Sequence, residues 1–144
     1  MKDNICLNKY LLLDQCSLLN AEDPDTLKAV LSTTSSIKSI EDDPQILITL
    51  KFNQKVNITY IQIESGNNSD VYPANLKIFN GRDDLDFDDV QDMKPTENFE
   101  LLKNFGKPIK VNIPRFKNIN VMIVRNLIFI YKYSYFFIII MLHK

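Results

Sequence analysis

The densest group of chemically active side chains in this sequence is an acidic cluster in its second half. It consists of Arg82 followed by six aspartates, Asp83, Asp84, Asp86, Asp88, Asp89 and Asp92. Carboxylates at alternate positions resemble the start of an EF-hand calcium loop, which needs Gly at its sixth position and a bidentate carboxylate at its twelfth. In a loop that began at Asp84, those positions would hold Asp89 and Pro95. A dedicated calcium site is therefore not predicted.

Two interpretations of the acidic cluster remain open. In the first, the cluster is a solvated loop in which Leu85 and Phe87 point into the core, while Asp88 and Asp89 begin a short helix whose N-terminus favours negative charge. In the second, the cluster is a docking surface for a basic patch on a partner protein, where charge sets the encounter rate and the register. The residues of this hypothetical surface are Arg82, Asp83, Asp84, Asp86, Asp88 and Asp89.

The residue types needed for catalysis do not occur in usable patterns. The single histidine, His143, is next to the last residue, so a Ser-His-Asp or Cys-His site would have to form around the chain end. Cys6 and Cys16 are too far apart for a Cys-x-x-Cys motif and have no second pair with which to bind zinc. We expect both to be reduced thiols, with a disulfide as the alternative. No catalytic residue, metal site or cofactor is predicted, and the protein is not expected to be an enzyme.

Composition and charge restrict the class of protein further. The chain has 144 residues, of which 45% are hydrophobic and 24% are charged, as expected for one domain with one core. A formal net charge of -1 provides no basic field for a phosphate backbone, so nucleic acid is not an expected partner. The apolar run Leu11–Leu13 is too short for a signal peptide. The expected location is the cytoplasm, with the nucleus as a second candidate.

Short segments in which apolar and polar residues alternate are typical of strands with one face on a core. The clearest is residues 46–52, where Ile46, Ile48, Leu50 and Phe52 share one face and Leu47, Thr49 and Lys51 share the other. Further strands are predicted in residues 56–64, 74–79, 109–113 and 121–124. Such segments, separated by turn signals, predict two packed antiparallel sheets in a sandwich or jelly roll.

Turn and capping residues separate the predicted strands. Asn53-Gln54-Lys55 predicts a hairpin turn, and a change of apolar phase near Tyr60 indicates a bulge. Asn80-Gly81 supplies residues that tolerate positive φ. Asp23 and Pro24 predict the start of a short helix. The scattered lysines, among them Lys55, are predicted to be solubilising.

The last apolar segment, residues 127–142, has three interpretations. It is shorter than a membrane helix and rich in β-branched and aromatic residues, which favours a last core strand around Lys132–Ile138. The alternatives are a segment of altered origin that packs poorly and a membrane tail anchor. In every case an exposed run of this composition is an aggregation hazard.

Six short motifs follow one another along the sequence: Gln15-Cys16-x-x-Leu19-Asn20; Asp42-Asp43-x-Gln45-x-Leu47-Ile48 leading to Phe52-Asn53; Val56 and its strand; Pro73-x-x-Leu76-Lys77-Ile78-Phe79; Leu85-Asp86-Phe87-Asp88-Asp89; and Arg115-Phe116-Lys117-Asn118-Ile119-Asn120-x-Met122-Ile123-Val124. In this order they together resemble the PITH domain family, the proteasome-interacting module of thioredoxin-like proteins. The 144 residues contain no thioredoxin domain before these motifs, and we therefore expect the chain to resemble the stand-alone members. The family's last strand ends in Gly, which Lys132–Ile138 lacks.

The resemblance implies an all-β jelly-roll sandwich similar to galactose-binding domains, with one or two short helices. The implied division is an N-terminal extension over residues 1–12, the sandwich over residues 13–138 and a C-terminal tip over residues 139–144. The implied function is non-catalytic docking on the regulatory particle of the 26S proteasome. Two alternatives remain: a sandwich that binds a small, carbohydrate-like ligand, and a membrane protein anchored through residues 127–142.

Overall fold

The structure, a computed structural model, consists of two antiparallel β-sheets that enclose one core. It describes residues 4–19, 37–38, 45–65, 75–82, 84–100, 109–127 and 135–143. The helix predicted after Asp23 and the aspartate Asp83 lie outside these residues. In chain order the strands are β1 (Asn4–Cys6), β2 (Ser17–Leu19), β3 (Ile37–Lys38), β4 (Gln45–Val56), β5 (Tyr60–Ser65), β6 (Asn75–Asn80), β7 (Glu97–Glu100), β8 (Ile109–Lys110), β9 (Ile119–Leu127) and β10 (Tyr135–His143).

The ten strands divide equally between the sheets. The first sheet has the order β1-β10-β5-β8, with β3 also paired to β10, and the second has the order β2-β4-β9-β6-β7. The described α-helix, α1 (Phe87–Asp92), connects β6 to β7, and 3-10 turns span Leu7–Tyr10, Leu13–Gln15 and Ile113–Phe116. The predicted sandwich of antiparallel sheets is confirmed.

The core between the sheets contains the face of β4 that the alternation predicted. Ile46, Ile48 and Leu50 are fully buried there, and Phe52 is nearly so. The positions of β9 that pair with them, and those of β6 that pair with β9 in turn, lie beside them on the same face, because paired residues of neighbouring strands share a face. Residues upstream of β2 also contribute, since Leu7 is buried in this core and β1 pairs with β10.

A second, smaller apolar cluster lies on the opposite face of the second sheet. It is formed by Leu47, Phe79, Leu85, Val90 and Ile123, and we call it the outer cluster. The sequence placed Leu47 on a polar face, yet it is only 1% exposed because α1 and the loop before it cover that face. The second sheet is thus buried on both sides where α1 lies.

The prediction of a hairpin turn at Asn53-Gln54-Lys55 is wrong. β4 continues through these residues to Val56, which pairs with Ile119 of β9 after a register shift. The chain then crosses to the first sheet, so β4 and β5 are not neighbours. The change of apolar phase near Tyr60, which predicted a bulge, reflects this crossing. The irregular strand pairing lies earlier, between Lys51 and Val56 of β4.

The last apolar segment contains a strand, as the favoured interpretation predicted. β10 pairs with β5 from Phe136 to Met141, and with β1 from Met141 to His143. The strand begins and ends later than the predicted range of residues 132–138, of which 132–134 lie outside the described residues. No helix within the described ranges is long and apolar enough to cross a membrane.

Candidate functional site

The predicted docking residues lie on a segment that is anchored to the outer cluster. This acidic segment, residues 82–92, runs from the end of β6 through α1. Leu85 and Val90 are buried in the outer cluster, and Phe87 is half-buried against it. Leu85 and Phe87 therefore turn inward as expected, but toward the outer cluster and not toward the core between the sheets. The neighbouring aspartates Asp84, Asp86, Asp88 and Asp89 are exposed.

Two aspartates of the acidic segment fix the start of α1. The Asp89 backbone N–H donates to Asp86 Oδ1 over 3.0 Å, and the Asp86 backbone N–H donates to Asp89 Oδ2 over 3.0 Å. This reciprocal capping box satisfies two donors that a helix start would otherwise leave open. The Asp89 N–H is also the main reason that the pKa of the Asp86 carboxyl is lowered, against a smaller opposing effect of desolvation.

The capping box predicts a pH dependence of α1. Because the pKa of Asp86 is lowered on folding, its contribution to stability is present above the pKa of an unfolded Asp, about 3.9. That contribution is lost as the pH falls through the lower folded value. We expect the amide resonances of Asp89 and Val90 to titrate below pH 4 in an NMR series.

Asp86→Asn provides the matched control, because Asn caps helices about as well as Asp and does not titrate. The variant should keep α1 at neutral pH and lose the part of the acid transition that the Asp86 carboxyl causes at the Asp89 and Val90 amides. A transition in the unaltered protein at or above about pH 3.9 would contradict the assignment.

A second intramolecular pair holds the beginning of the acidic segment. Arg82 binds Asp84 through two hydrogen bonds, Nε to Oδ1 over 3.0 Å and Nη2 to Oδ2 over 2.9 Å. The Arg82 guanidinium lowers the pKa of the Asp84 carboxyl. Both side chains are more than half exposed, so the pair adds little to global stability and mainly orients the loop. Gly81 precedes it with φ of 89°, as its place in the predicted turn requires.

Of the six predicted docking residues, four are held in intramolecular pairs. Asp83 lies outside the described residues, and the Asp88 carboxylate is exposed without a hydrogen-bond or ion-pair partner in the described ranges. Asp92, which was not among the six, is exposed at the end of α1. Since one guanidinium faces five described carboxylates, the surface of the segment keeps a net negative charge.

A polar knot, which the sequence did not reveal, holds the two ends of the acidic segment together. It consists of Asn80, Thr96 and Arg115. The Asn80 backbone N–H donates to Thr96 Oγ1 over 3.0 Å, and its Nδ2 donates to the Arg115 carbonyl over 3.0 Å. Arg115 Nη1 in turn donates to the Thr96 carbonyl over 3.2 Å. These residues are 16 and 19 positions apart along the chain, so no local pattern could have indicated the knot.

The two cysteines occupy different environments, and both are free thiols. Cys6 is exposed, whereas Cys16 is half-buried beside β4. The Lys51 backbone N–H donates to Cys16 Sγ over 3.4 Å, and burial raises the pKa of the Cys16 thiol. In the described part of the chain, no three His, Cys, Asp or Glu side chains lie close enough together to hold a metal ion.

We expect iodoacetamide to modify Cys6 faster than Cys16, because the thiolate is the reacting species and burial disfavours it at Cys16. Mass spectrometry of timed digests at pH 8 measures both rates. In Cys6→Ser, the slow rate of Cys16 should be unchanged. Equal rates at the two thiols would contradict the different environments.

Comparison with known proteins agrees with this architecture. The family model for the PITH domain matches residues 1–130. A carbohydrate-binding module, CBM32-3, from a family 31 glycoside hydrolase of Clostridium perfringens has a TM-score of 0.62 at 16% identity, and the match covers 96% of this chain and 97% of that chain.

Two further solved structures share the fold. An F5/8 type C domain from Bacteroides fragilis has a TM-score of 0.59 at 12% identity, covering 90% of this chain and 91% of that one. The low-affinity xylan-binding module CBM86 from Roseburia intestinalis has a TM-score of 0.51 at 10% identity, covering 100% and 96%. At these identities the likeness shows a galactose-binding-domain-like jelly roll and nothing about ligands.

Proposed function

Since the chain belongs to the PITH domain family, whose model matches residues 1–130, we propose that it is a non-catalytic interaction module that docks on the regulatory particle of the 26S proteasome. The family match is the observation that carries the proposal, and the partner is the one that the resemblance implies. Docking on this particle would place the protein in the cytoplasm or the nucleus.

The acidic segment supplies the docking surface in this proposal. Its backbone is fixed by the capping box, the polar knot and the burial of Leu85 and Val90, so few of its degrees of freedom would be lost on binding. Its exposed carboxylates would steer a basic patch of the partner toward it and select its orientation. Asp88, whose carboxylate has no partner in the described ranges, is the predicted docking residue most available for such a contact.

The proposal is tested by affinity capture from cell lysate with the tagged full chain, followed by identification of regulatory-particle subunits. The chain should recover about as much of these subunits as an intact PITH relative that is run in parallel. Asp88→Lys should lower recovery several-fold, because like charges would face each other across the interface. Glu100→Lys makes the same charge change at an exposed position of β7 and serves as the control.

The outcomes separate the partner from the surface. Failure of the unaltered chain to recover any regulatory-particle subunit, while the relative succeeds, would refute docking on this particle. Equal recovery by Asp88→Lys and Glu100→Lys would leave the partner in place and remove the acidic segment as the contact surface.

A further inference from the structure

A second charged surface, of opposite sign, lies beside the acidic segment. It consists of four exposed cations, Lys55, Lys94, Arg115 and Lys117, which we call the cationic rim. They stand where β4 ends and where β7 and β9 begin. Strand register brings these strand ends to the same end of the second sheet, since Val56 pairs with Ile119 and Glu97 pairs with Ile78.

The backbone under the cationic rim is fixed by long-range hydrogen bonds. The Asn118 N–H donates to Asn57 Oδ1 over 3.0 Å, which ties the residue after Lys117 to the segment after Lys55. The Ile58 N–H donates to the Phe116 carbonyl over 2.9 Å, and the Phe116 ring is fully buried. Arg115 and Lys117 therefore flank an anchored residue. A surface whose backbone is already ordered loses less entropy when it binds.

The four cations have no anionic partner in the part of the chain that the structure describes. The ion pair described in this region joins Arg82 and Asp84, and no residue of the cationic rim takes part in it. Arg115 uses one guanidinium N–H for the Thr96 carbonyl, while arginine carries five such donors. The rim thus presents a lysine ammonium or guanidinium at four points, and no carboxylate of the described residues neutralises it.

We propose that the cationic rim binds a segment of a partner protein that is rich in Asp and Glu. A nucleic acid fits less well, because its continuous phosphate backbone would also meet the carboxylates of the neighbouring acidic segment, and the chain carries a net charge of -1. A protein segment can place acidic side chains on the rim and basic ones on the acidic segment. Two adjacent surfaces of opposite sign then fix the direction in which the partner lies.

The test measures binding of labelled peptides to the full chain by fluorescence anisotropy at about 20 mM salt, where screening is weak. The probe is a ten-residue peptide of alternating Glu and Gly, and its Gln-Gly counterpart is the uncharged control. We expect saturable binding of the Glu peptide that weakens as salt is raised. In NMR spectra, the backbone amide chemical shifts of residues 55, 94, 115 and 117 should change when the Glu peptide is added.

Paired variants locate the binding. Lys55→Glu with Lys117→Glu should weaken binding of the Glu peptide by roughly tenfold or more, whereas Lys55→Arg with Lys117→Arg should retain it. Asp88→Lys, on the acidic segment, should strengthen binding of the same peptide. Melting temperatures of the variants identify any that lose the fold.

Several results would overturn the proposal. These are equal affinity for the Glu and Gln peptides, unchanged affinity in the folded Lys55→Glu, Lys117→Glu variant, or tighter binding of a single-stranded ten-thymidine oligonucleotide than of the Glu peptide. The first two would remove the rim as a binding surface, and the third would replace the protein segment with a nucleic acid. None of them depends on whether the proteasome is the partner.

Discussion

Phe116→Ala is expected to lower the free energy of unfolding by about 3–5 kcal/mol, the usual cost of emptying a buried aromatic site. Phe116 is the largest of the fully buried side chains among the residues whose burial the structure describes, at 0% exposure. Its ring lies in the core between the sheets, while its carbonyl accepts the Ile58 N–H at the point where the chain crosses from β4 to β5. The substitution therefore creates a cavity next to the crossing that connects the two sheets.

The measurement is thermal and urea unfolding followed by circular dichroism. For a chain of this length, the loss corresponds to a fall of roughly 10–20 °C in Tm. Lys117→Ala is the control, because it truncates the next side chain, which is exposed, and should change Tm by only a degree or two. A Tm within a few degrees of the unaltered protein for Phe116→Ala would show that this ring does not hold the sheets together.

Local patterns predict the strands of this fold and fail at its long-range pairings. Alternation identified the inner face of β4 because burial on that face has the period of a strand. The polar run Asn53-Gln54-Lys55 resembles a turn, but pairing of Val56 with Ile119 keeps it in the strand. That pairing joins residues more than sixty positions apart, so no window of sequence contains it.

The outer cluster could also not be predicted from the alternation of apolar and polar residues along single strands. Leu47 and Phe79 interrupt otherwise polar faces of β4 and β6, and each alone resembles an ordinary exposed apolar residue. They are buried because α1 covers them. The apolar positions Leu85 and Val90 of the acidic segment were the available signal, since a loop that carries them needs a surface on which to bury them.

The acidic segment was visible in composition, whereas the roles of its residues were not. The spacing Asp86-x-x-Asp89 is compatible with a capping box, and it explains why two of the aspartates serve the helix. The polar knot and the cationic rim depend on strand ends that meet only in the folded sandwich. Jelly rolls at 10–16% identity share the scaffold, so the loops must supply whatever distinguishes this protein.

Leu47→Ala is expected to lower the free energy of unfolding by about 2–5 kcal/mol, the range measured for buried leucines. Leu47 is 1% exposed in the outer cluster, under α1. Leu19 pairs with it in register on the neighbouring strand β2 but is 40% exposed, so Leu19→Ala should cost roughly 1 kcal/mol or less. The two variants remove the same atoms from paired sites, of which one is buried and the other is exposed on the edge strand β2.

Hydrogen exchange of the Val90 amide, which donates to the Asp86 carbonyl over 3.1 Å, reports whether α1 loosens as well. In Leu47→Ala this amide should exchange faster relative to amides of β9, because α1 loses packing contacts in the outer cluster while the core between the sheets is intact. Under the proposed docking on the proteasomal particle, capture of that particle should also fall in Leu47→Ala, although no charge has changed. Unaltered exchange of Val90 would mean that the capping box, and not the outer cluster, determines the position of the acidic segment.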